Sequence, residues 1–116
     1  MATIEQLANA VLNGDQLAAR ALAQEIVSAG RLTCLADPDP SVGDRVAIMA
    51  AALAELLAGY ANVDPPTWTR RWGPMLETVD LLPATGERLR RAMTEEAPEP
   101  LKRRNILAPK GFLLAV

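Results

Sequence analysis

The sequence predicts an all-α fold: a small helical bundle of four to six helices, with an initial helical hairpin, a long central apolar helix and an extended or short-helical C-terminal tail. Three observations predict it. Apolar residues make up 50% of the chain but aromatic ones only 3%, so Leu, Ala, Val, Ile and Met must fill the core, and Ala and Leu lose little freedom on entering a helix. Residues 1–30 place apolar side chains at helical spacing on both sides of an Asn-Gly break. The run VAIMAAALAELLAGYANV, Val46 to Val63, holds one charge, Glu55. A chain of 116 residues supports a single core, which divides here into a helical domain over residues 1–96 and a docking tail over 97–116.

Thr3 caps a first helix whose Ile4, Leu7, Ala8, Val11 and Leu12 form one buried stripe, and Asn13-Gly14 ends it. A second helix starts near Asp15, turns Leu17, Ala21, Leu22 and Ile26 inward with Arg20 and Glu25 outward, and ends with Gly30 as its C′ residue. Pro38 and Pro40 push the residues before them out of helical geometry. The third helix begins between Ser41 and Asp44. Its apolar run is long enough to raise a membrane span, but Glu55, Gly59, Asn62, many small alanines and the lack of basic anchors at both ends favour a central buried helix. Asp64-Pro65 suits an N-cap and first helical position, which would set Trp68 and Trp72 on one helical face. MLETVDLL fits a helical face through Met75, Leu76, Val79 and Leu82, with an extended strap as the alternative. A last helix over Thr85–Glu96 buries Leu89, Ala92 and Met93 and leaves Arg88, Arg90 and Arg91 in water. Pro98, Pro100 and Pro109 partition the rest of the chain.

Net charge is −2, but residues 1–64 carry −5 and residues 65–116 carry +3. Such opposition suits self-association or an acidic partner for the C-terminal half. Histidine is absent and Cys34 is alone. These two facts exclude His/Cys zinc sites, Ser-His-Asp and Cys-His nucleophile systems and an intrachain disulfide, and they favour a reducing compartment. The N-terminus reads as an amphipathic helix rather than a signal peptide. The expectation is therefore a cytoplasmic, non-catalytic chain with no cofactor and no metal.

The features left to carry function are basic, aromatic and apolar. Asp37 and Asp39 could offer oxygens to a hard cation but lack the other ligands of a calcium loop, and read as turn formers. WTRRW joins Trp68 and Trp72 to two guanidiniums, which suits either anchors sealing a bundle end or stacking on a base. In the tail, Leu101, Ile106, Leu107, Phe112, Leu113 and Leu114 need cover, and Lys102, Arg103, Arg104 and Asn105 lie beside them. Apolar burial alone falls short of the entropy lost on ordering so long a strap. A groove on a partner or on a second copy would add hydrogen bonds and cover, which makes the tail a docking arm; a tail folded back on its own bundle is the alternative.

The segments DPPTWTR, Asp64–Arg70, and APEPLKRRNIL, Ala97–Leu107, resemble a group of short bacterial proteins whose ends read approximately Pro-Glu-Pro-Phe-Arg-Arg-Arg-Asn-Ile/Val-Phe. Members are commonly encoded beside a nucleotidyltransferase-like protein, in what looks like a toxin-antitoxin pair. Leu101 and Leu107 stand here where that group has aromatics. The resemblance implies a helical, antitoxin-like partner protein with Arg103, Arg104 and Asn105 as contacts. Competing readings are a DNA-binding regulator using the basic half, an enzyme working through Asp37, Asp39, Glu55 and Asp64, and a structural homo-oligomer. A homodimer through the alanine face of the central helix is compatible with each.

Overall fold

The computed structural model describes residues 3–30, 32, 35–38, 40–81, 87–108 and 112–113, with the side chains of Pro40, Leu89 and Arg90 outside that description. The chain is mostly helical, with α1 (Ile4–Leu12), α2 (Gln16–Ser28), α3 (Asp44–Tyr60), α4 (Glu87–Glu96) and α5 (Glu99–Lys102). Short 3₁₀ turns cover Pro40–Val42 and Thr67–Arg71. None of the described helices is long and apolar enough to cross a membrane.

The N-terminal hairpin forms because both of its helices are capped. Thr3 and Gln6 make a reciprocal capping box, with the Thr3 hydroxyl accepting from Gln6 N and the Gln6 amide oxygen accepting from Thr3 N. Asp15 Oδ1 accepts from Ala18 N to start α2. Gly30, at φ +67°, stops it in the left-handed geometry that glycine adopts most readily. α1 lies between α2 and α3, packing on both. That position explains why Ala10 is buried along with the expected Ile4, Leu7, Ala8 and Val11, while Leu12 is only partly covered.

α2 corrects the expected face. Ala19, Ala23 and Ile26 are buried, Leu22 is partly covered, Ala21 is exposed and Leu17 is 85% exposed. Small side chains let α2 approach α1 closely. The inward stripe therefore follows the alanines at 19 and 23, and a leucine two residues before the first of them falls on the outer side.

α3 forms the centre. Every residue from Met49 to Ala58 is buried, Glu55 included, and the helix packs on α1, on both 3₁₀ turns and on α5. Gly43 precedes it at φ +87°, a conformation closed to most side chains, so the chain can turn sharply from Pro40–Val42 into the helix. The alanines at 47, 50, 51, 52, 54 and 58 are each at most 3% exposed. The alanine face expected to mediate a homodimer is thus used up within one copy.

The region after α3 departs furthest from an all-helical plan. Residues Val79–Asp80 form a short strand, β1, that pairs in parallel with β2, Ile106–Leu107, in the register Val79↔Ile106. MLETVDLL is therefore an extended strap in its described part and not a helix; its last residue, Leu82, lies outside the described residues. Val79 N donates to Asn105 O at 2.9 Å and Leu81 N to Leu107 O at 3.0 Å. α4 buries Met93 and partly covers Ala92, with Arg88 and Arg91 exposed; Thr85 and the burial of Leu89 lie outside the described residues.

The segment beyond residue 96 contributes to the same core as α1 and α3. Leu101, Ile106 and Ala108 are 0% exposed and Leu107 9%. For these residues the cover that the sequence leaves open is supplied from within the chain.

Candidate functional site

The site is built around Glu55. It is the one charge of the Val46–Val63 run, and α3 carries it to where α5 packs on the helix. α5 is only a turn long, beginning after Pro98 with Pro100 at its second position. It delivers Arg103 and Arg104 to the Glu55 carboxylate, and Oε1 accepts hydrogen bonds from Arg103 Nη2 and Arg104 Nη1. Arg104 is 4% exposed, and its Nη2 also donates to the Thr69 carbonyl at 3.0 Å. Its Nη1 donates further to the Pro100 carbonyl at 3.3 Å. Thr69 is itself fully buried and commits its hydroxyl proton to the Pro66 carbonyl. One buried ion pair therefore fastens the central helix, the Thr67–Arg71 turn and the C-terminal segment at a single point.

Burial by itself pushes the Glu55 carboxyl up; the hydrogen bonds from Arg104 and Arg103, together with the Arg104 charge, outweigh it and hold the group below its ordinary value. Two guanidiniums on one carboxylate oxygen favour its charged form. Its partners are what make a charge in an apolar helix tolerable.

Lys102, Arg103 and Arg104, adjacent in sequence, meet different surroundings. Arg104 points into the protein, Arg103 keeps 51% of its side chain exposed, and Lys102 is exposed with Nζ donating to the Glu95 carbonyl at 3.3 Å. Asn105 has φ +64° and donates from Nδ2 to the Met75 carbonyl at 3.1 Å, so it shapes the turn into β2. Leu101, Ile106 and Leu107, expected as docking residues, have their side chains in the core. Phe112 and Leu113 are partly buried against that core, and the Phe112 carbonyl accepts from Tyr60 Oη at 2.7 Å. Leu114 lies outside the described residues.

The two tryptophans part company. The stretch around them is a 3₁₀ turn with Pro66 at its N-cap, so Asp64-Pro65 does not open a helix, and residues four apart do not share a face. Trp68 is an anchor: its Nε1 donates to the Leu35 carbonyl at 2.8 Å and ties down the loop before α3. Trp72 leaves the turn in extended geometry and lines an open groove of about 590 Å³. Arg70, Arg103 and Arg104 line that groove too, as do Glu55, Val63, Pro65, Pro74 and Pro100. Two basic stretches that the sequence keeps apart, TWTRRW and LKRRN, thus meet at one place. Neither stretch alone predicts the groove. Glu55 could have signalled it, since a lone carboxylate in an apolar run must find a cation. Of the carboxylates weighed as an acidic constellation, Asp37 pairs with Arg71 at the surface, Asp64 is exposed and Glu55 is engaged by the two arginines; Asp39 and Cys34 lie outside the described residues.

Compared with protein families, with curated proteins and with solved structures, the chain gives no match.

Proposed function

We propose that this chain is a non-catalytic, cytoplasmic protein-binding module, antitoxin-like, that neutralises a nucleotidyltransferase-like partner. The carrying observation is the groove in which Trp72 and Arg70 meet Arg103. Trp and Arg are the residues most enriched at the energetic centres of protein interfaces, and Val63 at 43% exposure adds apolar surface beside them. The binding surface is this groove rather than a free tail, because Leu101, Ile106 and Leu107 already sit in the core. The choice of partner rests on the resemblance of APEPLKRRNIL to proteins encoded beside nucleotidyltransferases. Use of Arg103 and Arg104 together on DNA is disfavoured, since the Arg104 guanidinium is committed to Glu55 and the Thr69 carbonyl.

Co-expression with the protein encoded beside it tests this reading. The pair is expected to co-purify and the neighbour's nucleotidyl transfer to be suppressed. Neither co-purification nor suppression would end the proposal.

A further inference from the structure

We infer that the groove receives a short acidic segment of a partner protein, its carboxylates meeting Arg70 and Arg103 and its apolar side chains lying against Trp72 and the flanking prolines. This rests on the protein-binding reading and names the chemistry of what is bound.

Charge comes first. Three guanidiniums, of Arg70, Arg103 and Arg104, and one carboxylate, of Glu55, line the groove, which leaves it positive. Arg104 is buried and serves Glu55 and the main chain. Arg70 is exposed and Arg103 half exposed, so these two face a ligand. A guanidinium has five N–H donors, and the bond from Arg103 Nη2 to Glu55 uses one. Glu55 therefore orients Arg103 without exhausting it. Because Arg104 also satisfies Glu55, a ligand carboxylate can share Arg103 without stranding the buried acid. A side chain held in position before binding loses less freedom when the ligand arrives.

The walls select what lies between the charges. Pro65, Pro74 and Pro100 have no backbone N–H and little freedom. They offer a flat, rigid, donor-free surface, so a peptide cannot extend the main-chain ladder along them and must be held by side chains. Trp72 adds an aromatic ring and Val63 a branched apolar side chain.

The number of cations favours a peptide over a nucleic acid. A phosphate backbone carries closely spaced charges and calls for a track of cations; of the cations lining this groove, two, Arg70 and Arg103, face outward. Discrete carboxylates separated by apolar residues suit that pattern.

Fluorescence anisotropy of a labelled, alternating Glu/Leu peptide titrated with the full chain tests the inference, with a Lys/Leu peptide and a single-stranded oligonucleotide as separate arms. The acidic peptide is expected to bind, more weakly at higher salt, and to lose about tenfold in affinity with Arg70→Gln and again with Arg103→Gln. Both positions have exposed surface, and a thermal melt by circular dichroism establishes that each variant is folded. Arg70 does not touch Glu55 in any described bond, so its variant reports on the groove even if Arg103→Gln loosens the fold. No binding of the acidic peptide, equal binding by both variants, tighter binding of the oligonucleotide or of the Lys/Leu peptide, or a dimer of the chain that Arg103→Gln dissociates would each overturn it. A neighbour that co-purifies unaffected by Arg70→Glu and Arg103→Glu overturns this inference and leaves the general reading standing. Peptide binding without co-purification does the reverse.

Discussion

Glu55 and Arg104 illustrate how much a single pair can decide. Removing one member of a buried ion pair leaves the other uncompensated, at a cost of about 3–5 kcal/mol, whereas replacing both with apolar residues of similar volume is often neutral. Glu55→Leu strands the buried Arg104, so its urea denaturation is expected to show a loss of that size, and adding Arg104→Met to recover most of it. The pH dependence comes from the lowered carboxyl. A group depressed in the folded state stabilises the fold above its unfolded value, ordinarily 4.5, and that contribution disappears as the pH falls through the folded value. The stability gap between the wild type and Glu55→Gln should accordingly be full at neutral pH and close on acidification below about 4.5. A gap that stays constant down to acid unfolding would mean that Glu55 is not ionised in the fold. Thr69 adds to the rigidity of this point because its buried carbonyl accepts from Arg104 Nη2.

At the level of elements, the sequence announces its helices and conceals its strands. Thr3, Asp15 and Gly30 mark ends that depend on local chemistry, and the structure puts the caps of α1 and α2 where those residues stand. α3 is legible for another reason: a run so poor in charge has to be buried. β1 and β2 each contain two residues, and their parallel pairing joins Val79 to Ile106 across a stretch that includes α4. Spacing within a short window carries no trace of such a partner. The turn at Thr67–Arg71 is hidden for a related reason, since Pro-Pro-Thr-Trp opens an α-helix and a 3₁₀ turn equally well. Asn105 is the joint between α5 and β2, and its left-handed backbone is rare outside glycine and asparagine. Asn105→Ala gives up both that tolerance and the bond to the Met75 carbonyl, and should lower stability by about 1–2 kcal/mol in a denaturant melt. Asn105→Gly keeps the backbone conformation and should lose less. Equal losses would place the whole effect in the side-chain bond.

On the scale of the molecule, residues 97–108 contribute to the core and are not an addition to it. Burial of Leu101, Ile106 and Leu107 contributes about 1.5–3 kcal/mol for each side chain, comparable in sum with the 5–15 kcal/mol that separates most folded domains from their unfolded chains. Without the segment, Glu55 also loses both arginines. A chain ending at Glu96 is therefore expected to show no cooperative thermal transition, and a sharp one would show that residues 1–96 fold alone. The need for cover was legible in the row of leucines near the C-terminus, but its source was not, because the sequence does not say which cation answers Glu55 or that a one-turn helix brings it there. The opposite charges of the two halves meet in part within one chain, at Glu55 with Arg103 and Arg104 and, at the surface, at Asp37 with Arg71.

The buried clasp also sets an order of events during synthesis. Glu55 leaves the ribosome 49 residues ahead of Arg104, an interval of about 2–10 s at ordinary elongation rates. Throughout it the nascent central helix holds a negative charge with no counterion of its own, so its final docking waits for an arginine that has yet to be translated.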